Sequence, residues 1–116
     1  VNNERLIKNY FTAWQNRDWD FVESELAEGF TFTSQYDDHI GKDEYKEKCW
    51  NAIREIEDYE IVTILAEGDE AFLWYKSRIN GENVQNAEHF AFEDGKIKSV
   101  TVFFGRPEDD SPSAEK

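Results

Sequence analysis

Apolar positions recur with two different periods along this chain, and the change of period divides it. Leu6, Ile7, Tyr10, Phe11 and Trp14 fall three and four residues apart, the spacing of one helix face. Asn16-Arg17-Asp18 interrupts that stripe. Asp18 is a residue type that caps helix N-termini, so a second helix is expected over Phe21, Val22 and Leu26, stopped at Gly29. At Phe30 the period falls to two, and Phe30, Phe32 and Ser34 share one face of a short strand. A polar loop, QYDDHIG, leads to a third helix expected from about Lys42 to Ile56. Its inner stripe would be Tyr45, Cys49, Ala52, Ile53 and Ile56. Alternation then dominates, with strands expected at 59–66, at 71–79 and twice more before Gly105. Helices first, then a strand, a helix and a strand meander: that order predicts an α+β domain, its helices covering one face of an antiparallel sheet.

The turn residues fix the register of the meander. Asn80-Gly81 suits a two-residue hairpin turn, because both central positions need positive φ. That turn sets Ile79 opposite Glu82, Ser77 opposite Val84, Tyr75 opposite Asn86 and Leu73 opposite Glu88. For the last hairpin, a three-residue connection Asp94-Gly95-Lys96 would place Phe90 against Val100 and Glu88 against Val102. A two-residue turn would place Glu88 beside Thr101. The first register is preferred because it gathers Val100, Val102 and Phe104 on one face. Glu88 then lies between Leu73 and Val102, with Tyr75 and Phe90 on the same face. A carboxyl in that setting is either a site residue or a buried group with a fixed partner. Desolvation would favour its neutral, proton-donating form.

At 116 residues the chain is expected to form one domain over 1–105, followed by a polar, proline-containing acidic tail over 106–116 expected to be mobile. A formal net charge of −13 argues against nucleic acid and anionic membranes as partners, since both are bound through lysine and arginine. Aromatic residues make up 16% of the chain, more than a plain small core needs, which favours a lined cavity. Cys49 is the single cysteine, so no intramolecular disulfide can form, and a reducing cytoplasm suits the chain. A small, buried, apolar role is favoured for Cys49 over a nucleophilic one. No apolar run reaches transmembrane length, and no signal peptide is visible.

Four segments carry a resemblance that spans roughly residues 3–105: LIKNYFTAW, NRDWDFVESEL, FTFTS before a glycine-led helix, and EHFAFEDGKIKSVTVFFG. They resemble the nuclear transport factor 2-like superfamily, in particular its ketosteroid isomerase-like and SnoaL-like polyketide cyclase members. The resemblance implies a cone-shaped fold, a curved, mostly antiparallel sheet wrapped around three helices, with an internal apolar pocket. That fold hosts isomerases, cyclases, dehydratases, epoxide hydrolases and non-catalytic binding modules. Tyr10 matches the isomerases' oxyanion-binding tyrosine, and Glu88, directly before His-Phe, matches their second oxyanion donor. Their catalytic aspartate falls on Ser34.

The candidate site therefore comprises Tyr10 and Glu88 as donors to a carbonyl oxygen, with His39 as the base best placed to work near neutral pH. Asp37 and Asp38 are alternatives in the same loop, and a solvated turn explains all three equally well. Trp14, Phe32, Ser34, Trp50, Leu73, Tyr75, Phe90, Val102 and Phe104 are expected around the ligand, although alternation alone does not separate cavity wall from core. No metal or cofactor is expected. The expected partners are a small apolar ligand and a second copy of the chain. That copy would cover the outer sheet face, which carries Phe72, Trp74, Ala87, His89, Ala91 and Phe103. The alternative is a binding or dimerisation module without catalysis.

Overall fold

The structure is a computed structural model that describes residues 3–106; most of the expected acidic tail lies outside the described residues. Helix α1 (Asn3–Gln15) buries Leu6, Ile7, Tyr10, Phe11 and Trp14 together with Ala13. Arg17, at φ 57°, turns the chain, and Asp18 accepts a hydrogen bond from the Phe21 amide at 3.2 Å to cap α2 (Trp19–Glu25). Helix α2 is shorter than the sequence suggests. Leu26, expected as its last inward residue, instead opens strand β1 (Leu26–Thr33), and Gly29 lies inside that strand.

The third helix differs most. Helix α3 (Lys42–Tyr45) passes into a π-helical turn over Lys46–Trp50 and ends there, well before Ile56. A contact from far along the chain explains this. Asn80 Oδ1 accepts from the amides of Arg54 at 2.9 Å and Glu55 at 3.0 Å, and its Nδ2 donates to the Ala52 carbonyl at 3.0 Å. Those groups would otherwise have continued the helix, so tertiary bonds override the apolar stripe. Asn80→Gly should keep the turn, since Asn80 sits at φ 52°, but lose the clamp. The expected loss is about 1–3 kcal/mol by denaturant unfolding, with faster amide exchange at Arg54 and Glu55. Unchanged exchange there would show that the clamp does not hold the segment.

Strands β2 (Ile56–Glu67), β3 (Glu70–Ile79), β4 (Glu82–Glu93) and β5 (Lys96–Phe104) form a meander with sheet order β1-β5-β4-β3-β2. The sheet is mixed: β1 joins its edge parallel to β5, and the other pairs are antiparallel. Strands β3 and β4 pair in the register that Asn80-Gly81 dictates, with Tyr75 opposite Asn86 and Leu73 opposite Glu88. Glu88 also lies opposite Val102, but by a different route from the expected one. The turn is the two-residue Asp94-Gly95, both at positive φ, and a register shift after Phe92–Ile97 restores the offset. That bulge lets Ile97 and Val100, three residues apart, both face inward. Further irregularities in β1 and β2 bend the sheet around the helices. Ile7, Val22, Phe90 and Ile97 are fully buried between helices and sheet. On the opposite face Phe72, Trp74 and Phe103 stay about half exposed, as strand alternation requires. No described helix is long and apolar enough to cross a membrane.

Candidate functional site

Between the helices and the inner sheet face lies a cavity of about 420 Å³. Strand β4 presents Asn86 and Glu88 to it, β3 presents Tyr75, and β5 presents Val102. From the helical side come Tyr10, Trp14 and Tyr45, and from the π-helical turn Lys48 and Cys49. The π-helical turn places two successive residues, Lys48 and Cys49, on the cavity. At one end the lining residues Tyr36 and Phe104 are solvent-exposed, and Ser34, Asp37 and Lys48 stand beside them; this end is the mouth.

Glu88 is only 7% exposed, and burial pushes its carboxyl up to about 7. The opposing influence is one hydrogen bond, donated by the Tyr75 hydroxyl to Oε2 at 2.8 Å. Among the described residues no other side chain bonds this carboxyl, so Oε1 is left to the cavity. Tyr10 does not reach Glu88; its hydroxyl pairs with that of Tyr45. Burial, first of all, raises the pKa of Tyr10, Tyr45 and Tyr75, which keeps all three hydroxyls protonated. A hydroxyl pair holds two protons and spends one between its members, so the Tyr10–Tyr45 pair retains a proton to offer. The deep wall thus carries two groups able to donate: the Glu88 carboxyl, which is mostly protonated below about pH 7, and one hydroxyl of the tyrosine pair. Cys49 lies on the wall with its thiol pushed up to about 12 by burial, the protonated form that a passive apolar role predicts.

The structure separates the expected site residues. Tyr10, Glu88, Trp14, Phe32, Ser34, Tyr75, Val102 and Phe104 line the cavity. Leu73, Trp50 and Phe90 do not; they are buried in the packing around it. Phe90 packs edge-on against Tyr10 at 5.6 Å and stacks with Phe92, while Trp50 sits between Trp14 and the Arg17 guanidinium. His39 is placed outside. It sits at φ 53°, its side chain is 71% exposed, and its Nδ1 lies 2.6 Å from Asp38 Oδ1. The left-handed turn at His39 points this imidazole to solvent, a feature that loop composition does not announce. Asp37 of the same loop does line the mouth, with 13% side-chain exposure and 3.6 Å from Lys48 Nζ. Tyr45 is legible in the sequence only as an inward helix position; its hydroxyl contact needs two distant helices brought together. Among the described residues no three His, Cys, Asp or Glu side chains cluster to hold a metal ion.

A five-stranded, mostly antiparallel sheet covered on one face by three N-terminal helices is the fold of the nuclear transport factor 2-like class of α+β proteins. The chain belongs to the SnoaL-like domain family, whose model matches residues 7–100. No curated protein matches it by sequence. Solved structures share the fold at low identity. An NTF2-like protein of unknown function from Cytophaga hutchinsonii is 21% identical with a TM-score of 0.78, over 90% of this chain and 91% of that one. A candidate ketosteroid isomerase from Kribbella flavida is 22% identical with a TM-score of 0.74, over 93% and 81%. An LEH-like epoxide hydrolase from M. tuberculosis is 19% identical with a TM-score of 0.68, over 87% and 80%. The fold is therefore shared with proteins of different chemistry, and the activity must be argued from the site.

Proposed function

We propose that this protein binds a small, uncharged, largely apolar carbonyl compound and moves a proton on it without a cofactor. The observation that carries the reading is Glu88, a buried carboxyl held near neutral titration on the wall of an open cavity. A neutral acid in an apolar site can donate a hydrogen bond to a carbonyl oxygen and stabilise the enolate that forms. The Tyr10–Tyr45 pair supplies a second donor. Both donors call for an acceptor on the ligand, and the aromatic wall calls for an apolar body. Asp37 at the mouth is the carboxylate able to take the carbon-bound proton, with Lys48 orienting it. An anionic ligand is disfavoured by the formal charge of −13. The cavity volume also argues against an interior filled by side chains, the expectation for a purely structural module.

The test is exchange of α-hydrogens for deuterium in a panel of apolar ketones, followed by NMR. Wild type should accelerate exchange for at least one member. Asp37→Asn should lose roughly 10²-fold or more of that rate and Glu88→Gln at least about tenfold. Activity unchanged in both Glu88→Gln and Tyr10→Phe would sink the proposal. A second reading, ligand binding without turnover, is favoured by one observation. At the isomerases' base position stands Ser34, whose hydroxyl is occupied as acceptor from the Tyr36 amide at 3.1 Å. Saturable binding with no exchange in any ketone would select it. The proposal extends to a second copy of the chain on the half-exposed aromatic outer face; a monomer in sedimentation would remove that part.

A further inference from the structure

One backbone amide and two side chains beside Glu88 form a chain of donors that all point the same way. The Gly105 amide bonds the Gln85 carbonyl at 2.8 Å and also donates to Asn86 Oδ1 at 3.3 Å. Asn86 Nδ2 donates to the Tyr75 hydroxyl at 3.1 Å, and that hydroxyl donates to Glu88 Oε2 at 2.8 Å. The Gly105 amide settles which end of the Asn86 side chain is oxygen. An amide NH₂ can only donate, so the tyrosine oxygen accepts at that contact. A donor on the hydroxyl oxygen polarises its O–H and turns the proton towards Glu88. The approach of Gly105 depends on its missing side chain, because a Cβ there would stand 2.5 Å from the Gln85 carbonyl oxygen.

We propose that Asn86 is the positioning residue of this site: anchored by Gly105, it makes Tyr75 a fixed donor to one oxygen of Glu88 and leaves the other to present its proton to the ligand. The inference rests on the reading of Glu88 as the ligand-facing acid. Without Asn86 the Tyr75 hydroxyl is free to reverse and accept the Glu88 proton itself. Glu88 would then hold its proton more tightly and present it to Tyr75 rather than to the cavity. The other titratable groups that act on or with Glu88 are Tyr10 from α1, Tyr45 from α3 and Cys49 from the π-helical turn. All are neutral through the range in which Glu88 titrates; on the inner face β5 sets the apolar Phe104, Val102 and Val100 opposite Asn86, Glu88 and Phe90, and the charged pair Asp37 and Lys48 lines the same cavity at its mouth. The Asn86–Tyr75 arm is therefore the polar lever on this carboxyl.

The experiment follows the Glu88 carboxyl carbon by NMR against pH in wild type, Asn86→Leu, Tyr75→Phe and the double variant, without ligand or turnover. Tyr75→Phe removes a bond that favours the charged form, so the midpoint should rise by on the order of one pH unit, a tenfold change in proton affinity. Asn86→Leu should raise it in the same direction, and should add nothing once Tyr75 is phenylalanine. If Asn86→Leu does not fold, Asn86→Ala makes the same comparison. An unchanged midpoint in the Asn86 variant, or an equal shift with and without the Tyr75 hydroxyl, overturns the role of Asn86 alone. A wild-type midpoint near that of an ordinary glutamate would instead overturn the acid reading of Glu88 on which the proposed function stands.

Discussion

Between about pH 4.5 and pH 7 the wild-type protein should lose about 3 kcal/mol of stability through Glu88 alone, and Glu88→Gln should not show that loss. The sign follows from the direction of the shift. Burial raises the folded-state pKa of Glu88 from its ordinary 4.5 to about 7. Below the lower value both folded and unfolded chains hold the proton, and the group is neutral to stability. As pH rises past it, the unfolded chain ionises while the folded one keeps its proton, so unfolding is progressively favoured. Above the higher value both are ionised, and the penalty is complete and constant. Glutamine has nothing to ionise. The difference between wild type and Glu88→Gln should therefore open across that window and then stay flat. Glu25 is also shifted upward by burial, but it is present in both proteins and cancels in the difference. Denaturant unfolding at both ends of the window measures the effect. A wild-type minus variant difference that does not change with pH would mean that Glu88 is ionised in the folded protein, and the proton-donor site would go with it.

Phe90→Ala should cost about 3–5 kcal/mol, against less than about 1 kcal/mol for Phe104→Ala. Both rings share the inward face of the sheet in the sequence pattern. Phe90 has no exposed surface and is enclosed by Tyr10, Phe11 and Phe92. Its removal leaves a void in close-packed surroundings, and α1 loses its ring contacts to β4 while Phe11 keeps those to Tyr59 and Tyr75. Phe104 is 49% exposed at the mouth, with one ring neighbour, Tyr36, at 5.7 Å. Truncating it removes little buried area, and its effect should fall on ligand affinity instead. Equal destabilisation by the two changes would mean that the space beside Phe90 is open or that the mouth is packed shut.

The residues that separate these outcomes also mark how far the sequence reaches. Strand alternation has a period of two, and Asn80-Gly81 admits one kind of tight turn, so local chemistry alone places Leu73, Tyr75, Asn86 and Glu88 in register. The apolar stripe of α1 and the acid among aromatic neighbours are equally legible. The end of the third helix is not, because Asn80, some 25 residues on, withdraws the groups that would have extended it. The bulge after Ile97 is not, because its position depends on which residues the helices leave room to bury. Composition does not tell His39 and Asp37 apart, since it is the backbone of their loop, with a positive φ at His39, that sends one to solvent as the other lines the mouth. The partner of Glu88 is open in the sequence as well: strand register sets Tyr75 near it, but Tyr10 is withdrawn by Tyr45 on a different helix. The sequence by itself thus determined the α+β order, the β3–β4 register and the presence of a buried acid, because each follows from residue type and short-range period. Only the tertiary structure decided which inward side chains are core and which are wall, and which carboxylate guards the mouth, because those depend on packing between elements distant in the chain.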